Sequence, residues 1–256
     1  MENKLTITNK LRKNILQASF KAQAGHIPSA FSILEIIYVL YKYHLTNDEV
    51  FVLSKGHGCL ALYAVFLEMG FITEEEFYSF SEYDSILGGH PHRGKHEKIY
   101  ASTGSLGHGL PICVGSALAK KLNGSKEKVY CLLGDGECNE GSVWESVMLA
   151  DNLRLNNLIC IVDNNRSQTR SMPTRDLELK FQSFGWMVIS VADGNDLDSV
   201  CRAIVAAKQQ VATPVCIVCN TVKGKGIADM ENNMFAWHHG PPNEEQFKKF
   251  CEELDA

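Results

Sequence analysis

The chain has 256 residues, 45% of them hydrophobic, a formal charge of −5 and a pI near 6.0. That length suits one well-buried domain spanning residues 1–256. The acidic balance, without a Lys/Arg-rich run, argues against nucleic acid as the partner. No apolar run reaches the ~18 residues of a membrane span. The polar segment Met1–Lys13 also lacks the apolar centre of a signal peptide. Nine cysteines lie mostly in apolar segments (Cys131, Cys160, Cys216, Cys219), which predicts reduced, buried thiols and a cytoplasmic location.

In chain order, apolar residues recur at helical spacing over Lys10–Ala24, where Leu11, Ile15 and Ala18 share a stripe, and over Ser32–Tyr43. Gly58–Met69 reads as a further helix. Thr73-x-x-Glu76 reads as a capping box opening a short acidic one. Gly107–Leu122 is rich in small residues and predicts a buried helix. Strands are predicted at Val129–Leu133, Leu158–Asp163, Met187–Val191 and Val215–Val222, with helices over Glu140–Asn152 and Asp196–Gln210 between them. Asn243 with Gln246 caps a last helix ending near Leu254. The alternation implies βαβ units, hence an α/β fold of three layers with a mainly parallel sheet between helices. Residues three apart on a strand face opposite ways, so Cys216-x-x-Cys219 makes a poor redox or zinc pair.

The strongest local signal is Gly134-Asp135-Gly136 after one strand and Asn164-Asn165 after the next, with 27 residues between the two halves. Glycines in a strand-to-helix turn let backbone N–H groups approach a phosphate, and the following helix N-terminus favours anions. Asp135 in such a turn would repel a diphosphate unless a cation lay between them. Mg²⁺ prefers oxygen ligands and often bridges carboxylates to phosphates. Asp135, the Asn165 amide oxygen and the Ser167 backbone carbonyl are the expected metal ligands, with Ca²⁺ or Mn²⁺ as alternatives to Mg²⁺. A dinucleotide-binding turn would need glycine where Asn139 stands, and neither this turn nor Lys223-Gly224-Lys225-Gly226 forms a phosphate loop of the G-x-x-x-x-G-K-[ST] type.

Glycine-flanked histidines extend the pattern: Gly25-His26, Gly56-His57-Gly58, Gly89-His90-Pro91 and Thr103-Gly104-Ser105-Leu106-Gly107-His108-Gly109. With Val52–Gly58 and Gly134–Gly141 running into Trp144-Glu145, these segments resemble the transketolase family over nearly the whole chain. The match is to the N-terminal half of a full-length transketolase, as in the N-terminal subunit of a split one. Trp144, His44 and His96 read as structural residues, Trp144 in the core and the two histidines at the surface. His108 reads as a helix cap, and His90-x-His92 lacks a third ligand at zinc spacing.

The resemblance implies thiamine diphosphate as cofactor and transfer of a two-carbon ketol unit from a ketose to an aldose. It matches His57, Gly136, Glu137 and Asn165 to cofactor binding around the diphosphate, and Gly104, Ser105 and Leu106 to its rings. His26 and His90 match contacts to the donor ketose, His238 a histidine near diphosphate and substrate, and Glu140 a carboxylate linking two active sites at a dimer interface; His239 leaves the His238 assignment open by one place. The family's activating glutamate sits in a second, pyrimidine-binding domain, and no glutamate of this chain takes that role. The resemblance therefore implies a C-terminal partner subunit, an α2β2 assembly, and inactivity of the chain alone. The sugar is left open, as a sugar phosphate or a modified sugar. Gly25-His26-Ile27-Pro28 and Gly194-Asn195-Asp196 both depart from the family's usual wording. The alternatives are the α subunit of a 2-oxo acid dehydrogenase, which shares the metal motif, and a cofactor-free scaffold.

Overall fold

A computed structural model describes residues 4–237 and 239–255. The chain opens with helices α1 (Lys4–Ala22), α2 (Ile27–Phe31) and α3 (Leu34–Val39), then strand β1 (Val50–Leu53), α4 (Cys59–Glu68), α5 (Glu74–Tyr78) and α6 (Gly109–Leu122). β2 (Val129–Gly134), α7 (Gly141–Asn152), β3 (Leu158–Asn164), α8 (Leu177–Ser183), β4 (Met187–Val191), α9 (Leu197–Gln209) and β5 (Val215–Asn220) follow, and α10 (Ala228–Asn232) and α11 (Glu244–Asp255) close the fold.

The five strands pair in the order β1-β2-β3-β5-β4, parallel throughout. Alternation along each strand sends side chains into two cores. Tyr130, Leu132, Ile159 and Ile217 pack under α1–α4 and α9, whereas Val129, Cys131, Cys160 and Val218 pack under α6–α8. The three-layer α/β/α reading therefore holds. Cys216 and Cys219 do fall in opposite cores. All nine cysteines are unpaired, seven of them buried. Among the described residues no helix is long and apolar enough to cross a membrane.

Several element boundaries differ from expectation for local reasons. The stretch expected as one helix over Ser32–Tyr43 is α3 followed by a π-helical turn, Leu40–His44, and α2 precedes it with Pro28 in its first turn. Apolar residues on most sides, rather than along one stripe, bury these short pieces; α2 and α3 are buried throughout, with Ser29 and Glu35 the polar exceptions. β1 escapes sequence reading because only four residues form it before the Ser54–Gly58 turn. The Thr73 capping box forms with both hydrogen bonds, and Asn243 and Gln246 exchange theirs across the start of α11. His44 and His96 are not plain surface residues: His44 Nε2 lies 3.2 Å from Cys201 Sγ, and His96 packs on Phe66 with its Nε2 on the Phe71 carbonyl. Trp144 is a packing residue, its Nε1 donating to the Cys138 carbonyl at 2.6 Å and its ring lying against Phe181.

One ion pair locks the N-terminal helices to the rest. Arg12 of α1 meets Glu35 of α3 at 2.5 Å with both side chains buried, and Asn195, in the turn before α9, donates to the other Glu35 oxygen. Removing one partner of such a pair strands a buried charge, whereas replacing both with apolar groups does not. Glu35→Ala is predicted to cost about 3–5 kcal/mol in denaturant unfolding, and Arg12→Met/Glu35→Leu much less; equal losses would mean that the pair itself, and not the stranded charge, sets the cost.

Candidate active site

Parallel strands place their carboxyl ends on one edge, and ligands of such sheets bind there, near the reversal of strand order. Here β4 goes to the outer edge and the chain returns to insert β5 beside β3. The turns leaving β1, β2, β3 and β5 surround a cavity of about 350 Å³. Each turn contributes polar groups to it: Lys55 and His57 after β1, Asp135 after β2, Asn165 after β3 and Lys223 after β5. His26 enters from the segment before α2, and His90, Gly104 and Leu106 from the loops between α5 and α6.

The Asp135 and Asn165 halves of the sequence motif meet across the β2–β3 pair. Asp135 Oδ1 accepts from the Gly136 N–H at 2.8 Å and from Ser167 Oγ at 3.2 Å. Arg166 takes a left-handed backbone, φ +60°, so the Ser167 N–H turns back to donate to Asn165 Oδ1 at 3.1 Å. A non-glycine residue in that region is uncommon and clusters at functional sites. Asp135, Asn165 and Ser167 therefore stand together at one end of the cavity. Burial, then the nearby Asp163 carboxylate, raises the Asp135 pKa. That is the situation a cation relieves. Among the described residues no cluster of three His, Cys, Asp or Glu side chains forms a metal site; the donor set here is oxygen-based and suits a hard cation.

Gly136 is not required by its backbone conformation. Neither it nor Gly134 has a positive φ, and the nearest atoms a Cβ on Gly136 would meet belong to the movable Gln168 side chain, at 2.6 Å. The glycine's value is space at the cavity wall. Gly107 is the constrained one, with φ +79° and no room beside Glu140 and Ser142.

The remaining expected residues separate into those at the cavity and those outside it. Glu137 is at the wall, but its carboxylate is taken up by Ser54 Oγ (2.5 Å), the Gly107 N–H (2.9 Å) and the Gly134 N–H (3.1 Å), so it braces three turns. Ser105 and Glu140 are exposed beside the cavity and absent from its lining, Glu140 standing at the N-cap of α7 without a side-chain cap bond. His108 likewise makes no side-chain cap; its Nδ1 lies 3.0 Å from the Leu106 carbonyl. His238 lies outside the described residues. Its neighbour His239 packs edge-on against His26 at 4.6 Å, and His26 against His57 at 5.2 Å. Arg93 and Lys95, in the loop after His90, are exposed and do not line the cavity.

Sequence reading missed the cations. Lys55 is buried and its Nζ lies 2.5 Å from Asp163, itself fully buried. Lys223 is buried at the cavity, its pKa pushed down to about 8 by burial and then by Lys55. The signal was present in Ser54-Lys55-Gly56-His57 and Val222-Lys223-Gly224, but a lysine in a glycine turn resembles any solvated lysine until burial is known. The departure at Asn195 also has a local explanation. Its side chain accepts from the Val222 N–H at 2.8 Å and donates to Glu35, anchoring the turn that carries Lys223.

The family model for the transketolase, thiamine diphosphate binding domain, matches residues 3–254. The chain belongs to the transketolase family. It is 35% identical to one subunit of the apulose-4-phosphate transketolase of Phocaeicola vulgatus, over 96% of this chain and 92% of that one. With human transketolase it shares 36% identity over 96% of this chain but 41% of the human one. The transketolase structure from Leishmania mexicana superposes with a TM-score of 0.90 at 26% identity, covering all of this chain and 42% of that one. The chain thus spans about two-fifths of the full-length transketolases it matches. The family match also favours transketolase over the 2-oxo acid dehydrogenase alternative.

The transketolase cavity carries its own acid sensitivity. Burial, then Lys55, His26, Lys223 and His90, lowers the His57 pKa from 6.5 to about 2. A histidine depressed in the folded state contributes stability above its unfolded value and loses it as pH falls toward the folded one. The ligand-free protein is therefore predicted to lose thermal stability between about pH 7 and pH 5, and His57→Gln to lose less over the same interval. Parallel melting curves for the two proteins would remove His57 as the source.

Proposed function

We propose that this chain is the diphosphate-binding subunit of a transketolase that works with a second, pyrimidine-binding subunit, in an α2β2 assembly. The observation that carries the reading is the charge pattern of the cavity at the strand ends: a buried carboxylate with oxygen neighbours on one side, buried lysines and a neutral histidine around the rest. A divalent ion held by Asp135 together with a diphosphate would account for both halves. Asp135, Asn165 and Ser167 would hold Mg²⁺ (or Ca²⁺ or Mn²⁺), and Lys223, His57 and the Gly136 backbone would face the phosphate oxygens. Gly104 and Leu106 offer a wall for the rings.

When bound, thiamine diphosphate supplies the electron sink for breaking and making the carbon–carbon bond of a two-carbon ketol unit. The chain's own residues bind and orient. His90, whose pKa burial lowers, stays neutral near pH 7 and can donate one ring N–H to a substrate oxygen while its other nitrogen accepts. His26, held between His57 and His239, has its ring fixed for the same task. The likeness to one subunit of the Phocaeicola enzyme, over most of that subunit's length, supports the split arrangement. So does the cavity lining, whose only carboxylates among the described residues are Asp135 and the internally bonded Glu137. Neither is free to activate the cofactor's far ring, so a partner's carboxylate is needed there, with Glu140 at the junction. The donor is a sugar phosphate or a modified sugar, and the unpaired cysteines fit a reducing, cytoplasmic compartment.

Two outcomes are expected. The purified chain, assayed with thiamine diphosphate, Mg²⁺ and a panel of ketose and aldose phosphates, is inactive until a pyrimidine-domain subunit is added; turnover by the chain alone would overturn the split reading. Asp135→Ala abolishes Mg²⁺-dependent cofactor binding in calorimetry while leaving the circular dichroism spectrum and melting temperature nearly intact. Cofactor binding that survives the change, still Mg²⁺-dependent, would remove Asp135 as a metal ligand.

A further inference from the structure

Asp163 ends the buried part of β3 and is fully enclosed. It accepts four side-chain donors: Lys55 Nζ at 2.5 Å, Ser32 Oγ at 2.8 Å and Asn165 Nδ2 at 2.8 Å on one oxygen, and Thr221 Oγ1 on the other. These donors come from the turns after β1, β3 and β5 and from the end of α2. One carboxylate thus ties three walls of the cavity together, yet it does not line the cavity itself.

The contact with Asn165 has a consequence for chemistry. An amide has one donor end and one acceptor end. A carboxylate only accepts, so the NH₂ must face Asp163. On its other side Asn165 meets the Ser167 N–H, which only donates, so that end must be the oxygen. Both neighbours demand the same orientation, and the oxygen is held toward the Ser167–Asp135 side. We propose that Asp163 is a positioning residue of the cation site, fixing the Asn165 amide so that an oxygen and never a nitrogen faces the ion. The inference rests on the cation reading given above. Groups that orient metal ligands in this way typically change metal affinity by about 10–100-fold when lost.

The test reads Mn²⁺ and inorganic pyrophosphate on the full chain, by electron paramagnetic resonance and calorimetry. The quantity is the factor by which Mn²⁺ tightens pyrophosphate binding. Changing either partner alone strands the other's charge, but in Lys55→Met the Asp163 carboxylate keeps its Ser32, Asn165 and Thr221 donors. That variant is the reference and Asp163→Leu/Lys55→Met the probe, each checked for folding by circular dichroism. Lys55→Met should weaken pyrophosphate binding but keep the Mn²⁺ factor, because Asp163 still holds Asn165. The double variant should lose that factor by about 10-fold or more. Adding Asn165→Asp to the double variant should restore it, because a carboxylate presents oxygen whichever way it turns; beside an intact Asp163 the same change should bring no gain. A double variant that keeps the Mn²⁺ factor of Lys55→Met, or a triple variant that regains nothing, would overturn the positioning role. Absence of any Mn²⁺ effect on the unmodified chain would overturn the cation reading as well.

Discussion

The buried pair of Lys55 and Asp163 is the constraint on which the rest of the cavity depends. Taking two charges out of water costs several kcal/mol per ion, and their attraction alone seldom repays it. Here further donors share the Asp163 carboxylate, so little of its hydrogen-bonding capacity is left unmet. What the cost secures is a fixed meeting of strand ends. β1, β3 and β5 are not all neighbours in the sheet, yet their turns converge on one carboxylate. Ordinary strand pairing would not specify that convergence. The sheet sets only where the turns begin.

A second carboxylate does the same on the other flank. Glu137 draws in Ser54 and the backbone of Gly107 and Gly134, so the β1 turn is held from both sides, by Glu137 through Ser54 and by Asp163 through Lys55. A Cβ on Gly56 would come within 1.8 Å of the Thr103 carbonyl, so this turn also lies flat against the loop carrying Gly104 and Leu106. The cavity walls formed by the β1 turn and by the Gly104–Leu106 loop are therefore one connected piece. Their stiffness follows from buried, satisfied polar contacts rather than from regular secondary structure.

How much of this is legible in the sequence depends on range. Patterns that repeat along the chain are readable: β4 matches its expected bounds, β2 and β3 extend one residue beyond theirs, and the caps at Thr73 and Asn243 form as written. The Gly134–Gly136 and Asn164-Asn165 halves of the sequence motif are readable because strand periodicity places each half at a strand end. Relations between distant turns are not. Asp163 lies two residues before Asn165 of that motif, yet nothing local distinguishes a carboxylate that ends a strand in solvent from one that gathers Ser32, Lys55 and Thr221. Glu137 groups with cofactor contacts in sequence because it follows Gly136. Two of its three hydrogen-bond partners are 30 and 83 residues away, on the loops before α6 and after β1. β1 itself is too short for periodicity to register.

The histidines also change meaning once burial is known. Free histidine titrates near neutrality, which makes it a natural proton carrier in a sequence. In the folded chain, burial holds His57 and His90 below that range, and the neighbouring lysines push His57 further down. The cavity's positive charge is therefore carried by Lys55 and Lys223, while the imidazoles serve as neutral partners with one donor and one acceptor each. A diphosphate entering beside His57 would reverse part of that shift, since an anion favours the protonated ring. Binding and protonation are linked at this end of the cavity. For His90 the lowering comes from burial, without a lysine among its causes, so its neutral state does not depend on the lysines.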